Sequence, residues 1–276
     1  MPLRYPGVEL ATRIVFERLG IRLEDIEGAS CCPAPGVIGS FDLKSWLVAA
    51  CRNLALAEKM NLDIVTCCNG CYATLQEANH IVKSNVRMLE KVNGYLNRIG
   101  LSYNGGVDVY HVVEVLEDYS DMFISDRLDG LKIAPHYGCH YLRPSKIRGH
   151  GKKAWFLHRF ISLSKAKPVE YDELWMCCGA GGGVRSAYKD LSLKYTLRKV
   201  ESMKKAGAEL IVTPCVFCHL QFDIGQYELM EAGLLGDPLP VLHVTQLAGL
   251  MLGFGTEKIG VGLNKIVFEA GKIGNT

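Results

Sequence analysis

The stretch LIVTPCVFC, residues 210–218, joins a short apolar run directly to a pair of cysteines. Four consecutive apolar or β-branched residues predict a buried strand at Leu210–Thr213. The Cys-x-x-Cys motif that follows brings both thiols to one turn of chain at the end of that strand. The stretch IVTCCNGC, residues 64–71, repeats the same order of strand and motif.

The spacing of the cysteines indicates an internal duplication. The Cys-x-x-Cys motif at 215–218 lies 147 residues after the one at 68–71, and the Cys-Cys pair at 177–178 lies 146 residues after the pair at 31–32. Two different motifs with nearly the same offset indicate two copies of one unit. We therefore expect two halves, residues 1–130 and 131–276.

Short strands alternate with helical segments in both halves, which predicts an α/β protein with mostly parallel strand pairing. Each half is expected to be a small, mostly parallel sheet flanked by helices. Apolar residues at helical spacing predict helices over 8–19, 42–60, 72–99 and 184–206. Asp42 is expected to cap the second of these helices.

The composition restricts the class of function. The chain has 276 residues with 31 Lys and Arg against 29 Asp and Glu, a net charge of +2, which argues against a nucleic-acid partner. The longest apolar stretch, residues 240–255, is interrupted by polar side chains and is shorter than the about 20 residues that span a bilayer. We expect no membrane partner, no signal peptide and a cytoplasmic location.

A reducing compartment makes structural disulfides rare, so the 11 cysteines are better explained by metal or redox chemistry. In the second half, Cys139 adds a fifth thiol to the pair and the Cys-x-x-Cys motif. Five thiolates exceed the four that hold a tetrahedral zinc ion or an ordinary cubane, which indicates an unusual iron–sulfur cluster. A redox-silent zinc scaffold stays open as an alternative, although zinc ribbons space their motifs much more closely.

The first half lacks a counterpart of Cys139. Matching Leu3-Arg4 to Leu142-Arg143 places the missing cysteine immediately before Met1. We expect the first half to be cut off just past this ligand, with a wrongly assigned start codon as the favoured explanation. Loss of one cluster is the alternative.

The complete pattern from Cys139 to Cys218 matches the CCG cysteine-rich motif. Together with GASCCPAPG at residues 28–36, CNGCY at 68–72 and HYGCH at 136–140, the chain closely resembles the B subunits of heterodisulfide reductase from methanogenic archaea. The wider CCG family includes relatives in succinate, glycolate and lactate oxidation. The resemblance extends over essentially the whole chain.

This resemblance implies a catalytic iron–sulfur subunit that reduces the disulfide of coenzyme M and coenzyme B to two thiols in methanogenesis. It implies two non-cubane 4Fe–4S clusters, one per half, with the chemistry at the clusters and no catalytic side chain. It also implies the C and A subunits of the reductase as partners, a hydrogenase or formate dehydrogenase indirectly, and a small disulfide substrate. The implied cluster ligands are Cys31, Cys32, Cys68, Cys71, Cys139, Cys177, Cys178, Cys215 and Cys218.

Three further interpretations stay open at this point. The chain could instead be an electron-relay subunit of another oxidoreductase. The basic run Arg143, Lys146, Arg148, Lys152 and Lys153 either lines the approach of an anionic substrate or is a solvated face. His136, His140 and His219 either tune the clusters or simply pack, whereas Cys51 and Cys67 are interpreted as bystanders.

Overall fold

The computed structural model describes residues 5–142 and 155–268. Within them, no helix has the length and apolar character needed to cross a bilayer. The same residues contain the strands β1 (Ile64–Thr66), β2 (Val109–His111), β3 (Lys132–Pro135), β4 (Lys167–Pro168), β5 (Leu210–Thr213) and β6 (Val241–His243). The α-helices of the described residues are α1 (Pro6–Arg18), α2 (Ile38–Phe41), α3 (Leu43–Lys59), α4 (Asn69–Ser84), α5 (Val86–Leu96), α6 (Val112–Asp118), α7 (Phe156–Ser162), α8 (Val184–Ala187), α9 (Lys189–Lys205), α10 (Val216–Glu231) and α11 (Val244–Met251).

These elements form two compact units. The larger unit contains residues 5–23, 113–139 and 155–268, and the smaller unit contains residues 24–112 and 140–142. A compact unit and a sequence repeat are different divisions of a chain, because the first is defined by packing and the second by similarity of sequence. The division into halves at residue 130 stays a prediction about the repeat.

In the larger unit, four parallel strands lie in the order β4-β3-β5-β6. All four residues of β5 are buried, and β5 lies inside the sheet between β3 and β6, as is typical of a parallel strand that is covered on both faces. This explains why Leu210–Thr213 is continuously apolar or β-branched and does not alternate. In the smaller unit, β1 and β2 form a parallel pair with Thr66 beside His111.

The two copies of the repeat have matching elements, which confirms the predicted pair of quasi-symmetric α/β halves. Helices α3 and α9 have 17 residues each and begin 146 residues apart. Helices α4 and α10 have 16 residues each and begin 147 residues apart. The additional helix α5 accounts for the longer connection from α4 to β2 in the first half.

Two predicted helices are each divided in the structure, so both predictions were wrong in extent. The segment 72–99 breaks at Asn85, whose side chain accepts the backbone N–H of Met88 and caps α5. The segment 184–206 breaks at Tyr188, which precedes α9 with a non-helical backbone. Tyr188 stands 146 residues after Asp42, and the predicted Asp42 cap is confirmed by its bond from the Ser45 N–H.

Helix α1 packs closely in the larger unit because two glycines meet there. A Cβ on Gly7 would collide with the carbonyl oxygen of Gly260. Nearby, the Thr12 hydroxyl donates to the Val8 carbonyl at 2.7 Å and lies 3.1 Å from the Thr245 hydroxyl. The absence of a side chain at Gly7 therefore allows α1 to approach the backbone of Gly260 closely.

We expect Gly7→Ala to lower the free energy of unfolding by about 1–3 kcal/mol, the usual cost of an extra methyl group in a tight core. Urea unfolding followed by circular dichroism measures the change. Gly94→Ala is the matched control, because Gly94 lies within α5 and no described atom is within 4 Å of a Cβ there. The control should be neutral or stabilising by about 0.5–1 kcal/mol. An equal effect of both variants would contradict the close packing at Gly7.

Candidate metal centres

All 11 cysteines of the chain lie within the described residues, and none of them forms a disulfide bond. The structure gathers nine of them into two sets. The first set lies in the smaller unit and consists of Cys31, Cys32, Cys68 and Cys71. The second set lies in the larger unit and consists of Cys139, Cys177, Cys178, Cys215 and Cys218.

The second set forms where β5 ends and α10 begins. Cys215 is the N-cap residue of α10, and Cys218 lies in its first turn. The Sγ atoms of Cys178 and Cys218 are 3.4 Å apart, well beyond the roughly 2.05 Å of a disulfide bond. Cys218 also interacts with Cys215, and Cys177 accepts hydrogen bonds from Cys139 and Cys178. The five sulfurs therefore form one connected group.

Hydrogen bonds within the second set favour the thiolate form of one cysteine. The hydrogen bonds from Cys139 and Cys178 lower the pKa of Cys177 far below its usual range. The Gly179 backbone N–H also donates to the Cys177 sulfur at 3.3 Å. Donation to Cys177 raises the pKa of Cys178 to about 12. Several thiols around one thiolate suit the binding of a cation. A metal ion that binds there displaces the protons that remain on the thiols.

Helix α9 holds the Cys177–Cys178 loop through a row of buried polar side chains. The hydroxyl of Ser192 donates to the Gly179 carbonyl at 2.9 Å, and that of Thr196 donates to the Cys178 carbonyl at 3.0 Å. Lys199, one turn further, donates to the carbonyls that precede Cys177. These side chains follow one face of α9 at spacings of four and three residues.

His136 lies against the same sulfurs. Its ligand atoms, with those of Cys178 and Cys218, lie within 4.8 Å of one another. Neither ring nitrogen of this buried imidazole has a hydrogen-bond partner among the described residues. Burial lowers the pKa of His136 well below its usual range, so the ring is neutral. A buried, unsatisfied imidazole beside the Cys178 and Cys218 sulfurs fits a site that is completed by a bound group.

The first set repeats this arrangement in the smaller unit. Cys68 is the N-cap residue of α4, and the Cys71 thiol hydrogen bonds with Cys31, Cys32 and Cys68. The bond from Cys71 lowers the pKa of Cys31 to about 6. The side chain of Asn53 fixes the chain before the Cys-Cys pair, accepting from the Ser30 N–H at 3.1 Å and donating to the Ser30 carbonyl at 2.9 Å.

Three buried aromatic rings pack together beside the first set. The ring of Tyr72, which follows Cys71 directly, meets His111 edge to face with centroids 5.4 Å apart. The ring of Tyr141 lies 5.0 Å from that of His111 and 5.9 Å from that of Tyr72. All three are buried, so they keep water from this side of the smaller unit.

The remaining candidates are two cysteines outside both sets, two histidines and the basic run. Cys51 is buried within α3, where burial raises the pKa of its thiol to about 12, and Cys67 is half-buried. His219 bonds to Asn264 at 3.2 Å and packs edge to face on Tyr5. His140 is half-buried, and the basic run from Arg143 to Lys153 lies outside the described residues. The interpretations of Cys67, His140 and the basic run stay predictions.

Comparison with known proteins places this geometry in a family. The model of a cysteine-rich domain, CCG, matches residues 1–76 and 133–223. The B subunit of a ferredoxin:CoB-CoM heterodisulfide reductase from Methanosarcina mazei is 44% identical over 275 residues, covering 96% of this chain and 91% of the relative. A protein from Archaeoglobus profundus, named as similar to the heterodisulfide reductase B subunit, is 38% identical, covering 92% of this chain and 88% of the relative.

A crystal structure of a hypothetical protein from Helicobacter pylori has a TM-score of 0.79 with 95% of this chain covered. At 14% identity it shows the fold alone, and this chain spans about half of it, 49%. The fold and the two sets of thiols define an iron–sulfur protein built from two cysteine-rich CCG domains. The chain belongs to the family of heterodisulfide reductase B subunits.

Gly179 is required by the geometry of the second set. Its φ is +97°, and a Cβ there would lie 2.5 Å from the Ser192 carbonyl oxygen. We expect Gly179→Ala to displace the Cys177–Cys178 loop and to remove most of the iron that the second set takes up on anaerobic reconstitution. Iron per chain measures the loss. The control is Gly181→Ala, since no described atom lies within 4 Å of a Cβ at Gly181. Full iron uptake by Gly179→Ala would contradict this account of the loop.

Proposed function

We propose that this chain is the catalytic iron–sulfur subunit of a CoB–CoM heterodisulfide reductase, which reduces the disulfide of coenzyme M and coenzyme B to two thiols. The observation that carries the proposal is the convergence of five cysteine thiols, none of them in a disulfide bond, in the larger unit of a chain 44% identical to a subunit of that name. The reaction consumes two electrons and two protons, breaks one S–S bond and releases two thiols.

The proposed cofactors are two non-cubane 4Fe–4S clusters. Cys139, Cys177, Cys178, Cys215 and Cys218 would hold one. Cys31, Cys32, Cys68 and Cys71 would hold the other. When bound, the clusters supply electrons and iron atoms that can bind sulfur. The thiols support this assignment because they converge, all but Cys31 are at least half-buried, and none of them is cross-linked.

The protein's own contribution is to keep these sulfurs ready for ligation. The Cys-x-x-Cys motifs begin α4 and α10, where free backbone N–H groups favour thiolates. Hydroxyls from α9 hold the Cys177–Cys178 loop in place, and the Tyr72, His111 and Tyr141 rings exclude water beside the first set. No proton-transferring side chain is assigned, because thiolates that bind iron need no general base to be stabilised.

The approach of the substrate is not assigned to the cavity of about 620 Å³ that Phe217 lines in the larger unit. Arg185 is already paired there with Glu228 at 3.0 Å, and Asp223 offsets Lys265. Arg185 is therefore not available as an unpaired cation, whereas an anionic coenzyme favours a positive excess. The basic run from Arg143 to Lys153 stays open between lining the approach of an anionic substrate and forming a solvated face.

The C and A subunits of the reductase are the proposed partners, with a hydrogenase or formate dehydrogenase as the indirect source of electrons. The relatives with this chain's length are named as subunits, which supports a multi-subunit assembly. Two partly exposed tryptophans, Trp155 and Trp175, have ring centroids 5.8 Å apart and offer apolar surface to such a partner. The cytoplasmic location expected from the sequence stays a prediction.

A second candidate function is an electron-relay subunit of another oxidoreductase. An 8-methylmenaquinol:fumarate reductase membrane anchor subunit from Wolinella succinogenes is 33% identical and covers 93% of this chain and 89% of the relative. A relay subunit would hold reducible clusters without binding a disulfide. Adding the heterodisulfide to the chain after anaerobic loading with iron distinguishes the two functions. The cluster spectrum should change if the chain is a reductase and should not change if it is a relay subunit.

Anaerobic reconstitution followed by iron and acid-labile sulfide analysis tests the cofactor assignment. Two 4Fe–4S clusters require about eight irons per chain, and one requires about four. We expect Cys218→Ala to lose about four irons and most of the reductase activity measured with a reduced viologen dye. Cys51→Ala is the control and should keep its iron, since Cys51 lies within α3 outside both sets. Zinc without iron in the native protein would overturn the proposal.

A further inference from the structure

Helix α9 carries one charged side chain in the core of the larger unit. Lys199 has 0% of its surface exposed. Its Nζ donates to the carbonyls of Glu173 at 2.5 Å, Leu174 at 3.2 Å and Met176 at 2.8 Å. Three acceptors use three N–H donors, and only the ammonium form of lysine has three. The geometry therefore requires a buried positive charge at this position.

This charge lies in the electrostatic field of the second set. Burial lowers the pKa of Lys199 to about 8, and the sulfurs of Cys178, Cys218 and Cys139 act in the opposite direction by stabilising the ammonium. The same ammonium helps to keep His136 neutral. A charge without an aqueous shell acts strongly on its neighbours, because the effective dielectric constant inside a protein is far below that of water.

The repeat places a neutral residue at the corresponding position of the first set. Asn53 stands 146 residues before Lys199, the same offset that separates α3 from α9 and the two Cys-Cys pairs. Both side chains are buried, and both bind the backbone immediately before their Cys-Cys pair. Asn53 also lies 3.8 Å from the Cys32 sulfur. The two positions thus share one structural task and differ by one unit of charge.

We propose that Lys199 is a positioning residue that raises the reduction potential of the second-set cluster above that of the first-set cluster, where Asn53 stands in its place. The inference rests on the proposed function, since it requires both sets to hold clusters. Reduction adds one negative charge to a cluster, and a fixed positive charge nearby stabilises that state. Lys199 therefore makes the two sets unequal, although the duplication gave them nearly the same sulfur donors.

The test is an anaerobic redox titration of the full-length, iron-loaded chain, followed by electron paramagnetic resonance with dithionite as the reductant. Cys71→Ala and Cys218→Ala assign each spectrum to its set. Lys199→Gln removes the charge, Lys199→Arg keeps it, and Lys194→Gln is the matched control on the exposed face of α9. Asn53→Lys introduces the charge into the first set.

At the potential where the native second set is half reduced, we expect Lys199→Gln to lower the ratio of reduced to oxidised cluster about tenfold, equal to about 59 mV for one electron. Lys199→Arg should restore the native ratio, Lys194→Gln should not change it, and Asn53→Lys should raise the ratio of the first set. These results would support a charge effect, since a purely structural role would change iron content and leave the potential of the loaded protein unchanged.

A Lys199→Gln variant with native iron content and an unchanged ratio would overturn the inference, as would an arginine variant that behaves like the glutamine variant. If Lys199→Gln binds no second-set iron, the ratio of the first set in Asn53→Lys decides, and an unchanged ratio there overturns the inference. Loss of iron in both variants would assign only a structural role to these positions and would also overturn it. A native chain that binds no iron refutes the proposed function instead.

Discussion

The close approach of five sulfur atoms within the larger unit is the constraint on which the rest of the structure depends. Thiols at this distance hydrogen bond around one thiolate, and the loss of their remaining protons requires a cation that compensates the negative charge. The fold meets this constraint with a recurring local arrangement. A parallel strand ends, a Cys-x-x-Cys motif begins the next helix, and a glycine-bounded Cys-Cys loop is held over that helix by side chains of the preceding one.

The local arrangement explains why particular small or polar residues occupy buried positions. Gly179 has a left-handed backbone and touches the Ser192 carbonyl, so a larger residue there cannot keep the loop in place. Ser192, Thr196 and Lys199 are polar because their side chains supply the hydrogen bonds that the carbonyls of the loop require. Buried polar groups of this kind fix one conformation when all of them are satisfied. The rigidity of the loop then determines where the sulfurs lie.

Much of this organisation could be predicted from the sequence because cysteines and strand ends leave a clear pattern. The nearly equal offsets of the two motifs indicated the duplication, and Asp42 marked the start of α3. Tyr188, at the equivalent position before α9, gives no capping signal, so the break there was missed. The helix Phe156–Ser162 and the two-residue strand β4 were also missed, since β4 is too short for a periodic pattern. The role of Lys199 could not be foreseen, because lysines are almost always exposed. Lys199 is distinguished from the other lysines of α9 only when the structure is combined with its alignment with Asn53.

The location of iron relative to the sulfurs tests the central claim most directly. Crystals of the anaerobically loaded protein, measured on both sides of the iron absorption edge, give the positions of iron by anomalous scattering. The account predicts an anomalous peak of several irons within bonding distance of Cys139, Cys177, Cys178, Cys215 and Cys218. A disulfide between Cys178 and Cys218, or a peak that appears only at the zinc edge, would contradict it.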